Sequence, residues 1–108
     1  MHKSFSLKAV LILLTVLLTP ILAQAEPVWV DVRTEAEYRQ NHIDGDPLIP
    51  HANIVAEVAG RFAKDAEINL YCRSGSRAGK AKSALESAGY TNVNNMGGID
   101  DAREARGL

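Results

Sequence analysis

The sequence has very little cysteine, because Cys72 is the only one in 108 residues. No internal disulfide can form, although small exported proteins often rely on disulfides for stability. The odd thiol therefore needs another explanation. It is a small buried apolar residue, a partner for another protein's thiol, or a reactive group.

The sequence also lacks an excess of basic residues, with 12 Lys and Arg against 13 Asp and Glu. Nucleic-acid-binding domains usually carry a basic face, so we expect no nucleic-acid partner. Internal repeats, linkers and low-complexity segments are absent from the sequence after residue 25. This part of the chain is therefore expected to form one domain.

A long apolar run is lacking too, because residues 9–22 make up only 14 residues and a membrane-spanning helix needs about 20. Lys3 and Lys8 precede this run, and Ala23-Gln24-Ala25 follows it with small residues at the two positions that a signal peptidase reads. The pattern predicts a signal peptide at residues 1–25. The alternative, a retained membrane anchor, is disfavoured by the shortness of the run.

Cleavage after Ala25 leaves a single domain at residues 26–108, with 10 basic residues, 13 acidic residues and a net charge of −3. We expect this domain to be periplasmic or otherwise exported, with no stable insertion in a membrane after cleavage. A chain of this length can form one modest hydrophobic core.

Strand and helix patterns alternate along the predicted domain. Runs of β-branched and aromatic residues predict strands at residues 28–32, at 68–71 and, more weakly, at 90–95. Apolar spacing and capping residues predict helices at residues 35–41, 53–63, 77–88 and 99–106. Thr34-Glu35-Ala36-Glu37 predicts a capping box at the start of the first of these helices. The last ten residues are polar, and we expect them to fray. The alternation predicts an α/β domain with parallel strands and crossover helices.

The most informative segment surrounds Cys72, which ends a predicted strand and precedes the turn Arg73-Ser74-Gly75-Ser76 and a helix from Arg77. Ligands bind outside the carboxyl ends of strands in open α/β sheets. A helix N-terminus aims several backbone N–H groups at one point, and the two arginines add positive charge. Gly75 supplies the positive φ that a tight turn needs. The segment predicts a thiolate in an anion cradle, with a pKa below that of a free thiol.

Several motifs together resemble a rhodanese domain, in an order and spacing that extend from about Trp29 to Gly98. The motifs are Val30-Asp31-Val32-Arg33, Glu37-Tyr38, His42-Ile43 with Gly45, Ile49-Pro50, Cys72-Arg73-Ser74-Gly75-Ser76-Arg77 and Gly97-Gly98. The short chain and the signal peptide most resemble exported single-domain members of that family.

The resemblance implies a rhodanese-like fold, with a central parallel sheet flanked by helices, and a thiosulfate sulfurtransferase activity. It implies that Cys72 takes a sulfane sulfur from a small anionic donor such as thiosulfate. The resulting persulfide then gives this sulfur to cyanide or another thiophilic acceptor. The implied substrate-binding residues are Arg73, Ser74, Gly75, Ser76 and Arg77. We expect a monomer with no cofactor and no metal ion.

The sequence departs from the family pattern at four places. Asn41 stands where glycine is usual, Asp46 where alanine is usual and Leu48 where asparagine is usual, and no Trp follows Gly97-Gly98. These departures concern local packing and leave the Cys72 loop intact.

Other polar side chains of the motifs are expected to have structural roles. Asp31, Arg33, Glu37 and His42 lie near predicted strand ends, where paired polar groups commonly fix loops. His42 can orient a loop through a hydrogen bond. His51 lies outside the motifs, and we expect it to be a solvated surface residue.

Three other functions compete with sulfur transfer. A Cys-dependent phosphatase or arsenate reductase of related fold resembles His-Cys-x5-Arg, whereas Tyr71 precedes Cys72 here and only four residues separate Cys72 from Arg77. A rhodanese module that binds an anion or a partner without catalysis keeps the fold and not the chemistry. A cysteine protease needs a general-base histidine, and neither His42 nor His51 can be assigned that role.

We predict that the exported form begins at Glu26, because Ala23-Gln24-Ala25 has the residues that a signal peptidase reads. The intact mass of the protein from a periplasmic extract is expected to match residues 26–108. Recovery of the full-length chain from the membrane fraction would contradict the signal peptide.

Overall fold

A computed structural model describes residues 25–108, and the predicted signal peptide therefore lies almost wholly outside the described residues. The three strands are β1 (Val28–Asp31), β2 (Ile68–Cys72) and β3 (Val93–Gly98). The helices are α1 (Glu35–Gln40), α2 (Ile54–Val58), α3 (Ser76–Ser87) and α4 (Ile99–Arg106), and a 3₁₀ turn (His51–Asn53) precedes α2. Within residues 25–108, no helix has the length and apolar character needed to cross a membrane.

The strands form one parallel sheet in the order β1-β2-β3, so β2 is central. Between β1 and the 3₁₀ turn, Leu48 forms an isolated parallel bridge with Asp31 and extends the sheet edge by one contact. Helices lie in each connection between strands, as parallel pairing requires. The predicted α/β fold, with a central parallel sheet flanked by helices, is confirmed.

Every residue of β2 is buried, because both faces of the sheet are covered. Alternate side chains of a strand point to opposite faces. Leu70 and Cys72 therefore belong to the larger core cluster with Ala78 and Leu85 of α3. Tyr71 belongs to the smaller cluster on the other face, together with residues of α4.

Helix α1 begins with the capping box that the sequence predicts. The Thr34 hydroxyl accepts a hydrogen bond from the Glu37 backbone N–H at 3.2 Å, and the Thr34 backbone N–H donates to the Glu37 carboxylate at 3.1 Å. Two donors at the helix N-terminus are thereby satisfied.

The helix predicted at residues 53–63 is shorter in the structure, where α2 ends at Val58. Ala59 is extended, and Gly60 adopts a φ of +81° that only glycine accepts easily. The chain therefore turns, yet Phe62 still packs against the core from the turn that follows.

The third strand also differs from its prediction. It covers Val93–Gly98 rather than residues 90–95, so Gly97-Gly98 lies at the end of the strand. Tyr90 precedes the strand as a buried residue, and its hydroxyl lies 3.4 Å from the Val58 carbonyl oxygen.

The prediction that the last ten residues fray is wrong for α4, because its arginines are anchored. Arg106 donates to both carboxylate oxygens of Asp46, at 2.6 and 3.1 Å, and its guanidinium stacks over Trp29 at 4.4 Å from the ring centre. Arg103 donates to the Asn41 side-chain oxygen at 2.8 Å. Asp46, which departs from the family pattern, is thus the buried anchor for the C-terminal helix.

Asp46 also fixes the end of the central strand. Its carboxylate accepts a 2.7 Å hydrogen bond from the buried Tyr71 hydroxyl. Burial raises the pKa of that hydroxyl, and the hydrogen bond to Asp46 raises it further, so Tyr71 remains a neutral donor. The network holds β2 and α4 together one residue before Cys72.

We predict that Arg106→Ala lowers the free energy of unfolding by about 2–3 kcal/mol, because it leaves the Asp46 carboxylate buried without its cation. Arg39→Ala is the matched control, since Arg39 pairs with Glu35 on an exposed helix face and an exposed pair contributes at most about 0.5 kcal/mol. Urea titrations of both variants measure the difference. Equal losses would contradict the anchoring role of Arg106.

Candidate active site

Cys72 lies at the carboxyl end of the central strand, where the sheet register changes. Leu70 pairs with Asn95, but Cys72 pairs with Gly98, so β3 has an irregularity opposite Tyr71. Such an irregularity bends a strand and redirects side chains near functional sites. Here it brings the end of β3 beside the loop that follows Cys72.

Each residue of the double glycine of β3 has a steric reason to be glycine. A Cβ atom on Gly98 would collide with the carbonyl oxygen of Arg73, which is backbone and cannot move aside without moving the loop. Gly97 has a φ of +86°, and a Cβ there would lie 2.6 Å from the Asp101 carboxylate. The motif that resembles the rhodanese double glycine therefore has a steric reason in this chain.

The loop after Cys72 closes around the sulfur atom. Gly75 caps α3 with a φ of +98°, as its position in the sequence predicts. Its backbone N–H donates to Cys72 Sγ at 3.0 Å, and the Ala78 N–H lies 3.5 Å from the same atom. The helix thus begins at Ser76, one residue before its predicted start, with its N-terminus directed at the sulfur.

Two opposing effects set the pKa of the Cys72 thiol. Burial raises the pKa, whereas hydrogen bonds from the backbone N–H groups of Ala78, Ser74, Gly75 and Arg77 lower it, and their sum leaves the pKa below its ordinary value. The lowered pKa of Cys72 agrees with the prediction from the sequence. The cause is mainly the backbone amides of the loop and the first turn of α3.

The two arginines of the loop are placed differently. Arg77 donates to both oxygens of Glu37, at 2.6 and 3.0 Å, so its charge is paired while its backbone N–H faces the sulfur. This pair, with the Thr34 contacts, lowers the pKa of Glu37 to about 2. Arg73 is exposed, and within residues 25–108 its guanidinium makes no hydrogen bond or ion pair.

Of the five predicted substrate-binding residues, Ser74, Gly75 and Arg77 direct backbone N–H groups at the Cys72 sulfur, and Arg73 and Ser76 are exposed members of the same loop. Ser74 contributes its backbone N–H to the sulfur, and its side chain is exposed. Ser76 is the exposed first residue of α3. Substrate contact by these five residues stays a prediction.

The other polar residues of the motifs brace the same end of the sheet. Arg33 donates to both oxygens of the buried Asp31, at 2.8 to 3.1 Å, and also to the Asn41 carbonyl oxygen at 2.6 Å. The structure gives them the loop-fixing geometry that the sequence predicts.

Neither His42 nor His51 is hydrogen-bonded to the Cys72 sulfur. His42 stacks on Tyr38 with ring centres 4.2 Å apart, and its Nδ1 lies 3.0 Å from the Tyr38 carbonyl oxygen. His51 is half-buried at the start of the 3₁₀ turn, where its backbone N–H donates to the Val32 carbonyl oxygen. The ring of His42 thus holds the loop after α1.

A cavity of about 270 Å³ opens beside the Cys72 loop. Its lining is mainly polar and consists of Arg33, Glu37, Gln40, Asn41, Arg73, Ile99 and Asp100. A larger cleft of about 580 Å³ lies at the opposite end of the strands, near Val28 and Glu67, and so far from the thiol that it has no part in its chemistry. The smaller cavity includes Arg73 of the Cys72 loop and is therefore the candidate ligand site.

Asn95 is a site residue that sequence reasoning missed. It lies on β3 outside the motifs, and its side chain donates to the Gly75 carbonyl oxygen at 2.9 Å. Its position two residues before Gly97-Gly98 was the available signal. In the described part of the chain, no group of three or more His, Cys, Asp or Glu side chains is placed to hold a metal ion.

A cysteine sulfur that accepts hydrogen bonds from backbone amides at the carboxyl end of a parallel strand has the geometry of a candidate nucleophile. A family model described as a rhodanese-like domain matches residues 16–105. The chain belongs to the rhodanese family, as its motifs indicate.

Relatives and solved structures agree with this assignment. The chain is 35% identical over 95 residues to thiosulfate sulfurtransferase PspE of Escherichia coli, covering 87% of this chain and 89% of that protein. It is 38% identical over 80 residues to a sulfurtransferase of Allochromatium vinosum, covering 72% and 74% of the two chains. A solved rhodanese with anions from E. coli superposes with a TM-score of 0.66 at 35% identity, over 70% of this chain and 91% of that one.

We predict that alkylation of Cys72 by iodoacetamide rises with pH through an inflection below 9.0, the ordinary thiol pKa, because the thiolate is the reactive form. The Glu37–Arg77 pair stays ionised throughout this range, since the pKa of Glu37 is about 2. The same protein unfolded in denaturant is the matched control, and its inflection should lie at the ordinary value. Coincident inflections would contradict the cradle.

Proposed function

We propose that this protein is an exported thiosulfate sulfurtransferase that carries sulfur as a persulfide on Cys72. The observation that carries the proposal is the convergence of backbone N–H groups on the Cys72 sulfur, which lowers the thiol pKa despite burial. Membership in the rhodanese family and similarity to proteins named as sulfurtransferases support the same reaction.

The first half-reaction loads the sulfur. The Cys72 thiolate attacks the outer sulfur of thiosulfate, a new S–S bond forms, and the S–S bond of thiosulfate breaks as sulfite leaves with the electron pair. The attack needs no general base, because the thiol is already deprotonated when its pKa lies below the working pH. This fits the positions of His42 and His51, which are not hydrogen-bonded to the sulfur.

The second half-reaction transfers the outer sulfur of the persulfide to the acceptor. The carbon of cyanide, or the sulfur of another thiophilic acceptor, attacks the outer persulfide sulfur. The S–S bond breaks, and the electron pair returns to Cys72 as a thiolate, which the same N–H groups stabilise. No net oxidation of the protein occurs, and each cycle regenerates the starting enzyme.

The charges around the loop suit a small anionic donor. Arg73 is exposed at the polar cavity beside Cys72, so its guanidinium is available to attract thiosulfate. Arg77 contributes its backbone N–H to the sulfur, while its guanidinium is held by Glu37. The cavity of about 270 Å³ beside the loop is large enough to admit thiosulfate and cyanide.

The geometry disfavours the phosphatase alternative. A phosphate loop uses its arginine to bind the oxyanion, whereas the Arg77 guanidinium is engaged by both oxygens of Glu37. The loop also has one residue fewer between cysteine and arginine than His-Cys-x5-Arg.

We predict that the protein gains one sulfur atom when incubated with thiosulfate. Intact mass is recorded without reductant after removal of excess donor. The added sulfur is expected to disappear on addition of cyanide and to be absent in Cys72→Ser, because transfer requires the thiolate. An unmodified mass in protein that still converts cyanide to thiocyanate would refute the persulfide. An unmodified mass without turnover would instead support a non-catalytic binding module.

A further inference from the structure

Glycines lie on both sides of the contact between the loop after Cys72 and the end of β3. A Cβ atom on Gly75 would lie 3.3 Å from Gly97 Cα, so the two backbones nearly touch. A Cβ on Gly79 of α3 would lie 3.4 Å from the Asn95 side-chain nitrogen. The missing side chains allow one residue of β3 to reach the backbone of the loop.

That residue is Asn95, and both ends of its amide are used. Its Nδ2 donates to the Gly75 carbonyl oxygen at 2.9 Å, and its Oδ1 accepts from the Gly97 N–H at 2.9 Å. The donor faces a carbonyl and the acceptor faces an N–H, so one amide orientation satisfies both contacts. The side chain thus ties the loop to the strand end.

Gly75 links the Asn95 hydrogen bonds to the Cys72 sulfur, because it takes part in both contacts. Its N–H donates to Cys72 Sγ at 3.0 Å, while its carbonyl is held by Asn95 and by the Gly79 N–H of the first helical turn. Gly75 has a φ of +98° and no side chain, so the loop at this residue depends on its backbone contacts. A shift of the Gly75 carbonyl moves the following peptides, whose N–H groups also lower the Cys72 pKa.

We propose that Asn95 is a positioning residue for sulfur transfer, which holds Gly75 so that the loop amides converge on the Cys72 sulfur. The inference rests on the proposed function, and Asn95 acts through Gly75 without touching the sulfur. Its loss loosens the cradle, which lowers the stabilisation of the thiolate and the rate of sulfur loading.

The test compares Asn95→Leu with Asn94→Leu. The first removes both hydrogen bonds without adding a charge. The second is the matched control on the same strand, where the exposed Asn94 donates to Asn69 at 3.0 Å instead of the loop. Two readouts are taken: the pH profile of Cys72 alkylation, and kcat/KM with thiosulfate.

We expect Asn95→Leu to raise the pH of the alkylation inflection by about one unit. A shift of this size corresponds to the free energy of about one hydrogen bond to a charged group. We expect kcat/KM to fall about tenfold, with Asn94→Leu near the wild-type protein in both readouts. An unchanged inflection in folded Asn95→Leu would overturn the proposal. If Asn95→Leu does not fold by circular dichroism, Asn95→Ala is read in the same way, because it also removes both hydrogen bonds without adding a charge.

The alkylation profile separates this proposal from the proposed function. If the wild-type protein transfers no sulfur, the proposed function fails, yet the inflection still reports whether Asn95 holds the cradle. If the wild-type protein transfers sulfur and the inflection is the same in Asn95→Leu, the positioning role fails while the function stands.

Discussion

The close approach of the end of β3 to the loop after Cys72 is the constraint on which the site depends. The register irregularity opposite Tyr71 brings Gly98 against the Arg73 carbonyl oxygen, and a side chain at Gly98 would push the loop away. Because the sulfur is stabilised by the N–H groups of this loop, the packing of two backbones decides the electrostatics of one thiol. The glycines thus affect the pKa of Cys72 indirectly, because they allow β3 to pack close to the loop.

The stabilisation of the thiolate comes from fixed backbone dipoles, while the loop arginines have other uses. Burial alone would favour the neutral thiol, and the amides reverse this because they point at the sulfur before any substrate arrives. Preorganised donors of this kind need no rearrangement during the reaction. The ion pair between Arg77 and Glu37 fixes the first turn of α3. Arg73 is exposed and lines the cavity.

The other face of the sheet fixes the same point of β2 by a different interaction. Asp46 joins the Tyr71 hydroxyl to Arg106, so the C-terminal helix braces the strand one residue before the cysteine. Apolar packing with α3 holds the Cys72 face. The strand end is therefore held from both sides, which suits a residue whose hydrogen-bond geometry sets its reactivity.

Much of this site could be predicted from the sequence where the cause is local. The capping box of Thr34 and Glu37 and the positive φ of Gly75 follow from backbone sterics and from contacts between residues a few positions apart. The alternation of apolar segments likewise predicted the parallel sheet, and the motif at Cys72 predicted the cradle. The early end of α2 has a local cause too, because Gly60 breaks the helix within its apolar pattern.

Contacts between distant residues were decided only by the tertiary structure. Arg77 meets Glu37 across 40 positions and Arg106 meets Asp46 across 60, while Asn95 reaches Gly75 across 20. Charge and polarity show that these side chains can form pairs, but they do not identify the partner residues. Their partners depend on strand register and on how the helices lie on the sheet, which no local pattern encodes. The sequence by itself thus determined the fold class and the position of Cys72 at the end of a strand, and tertiary packing determined which side chains hold the loop around its sulfur.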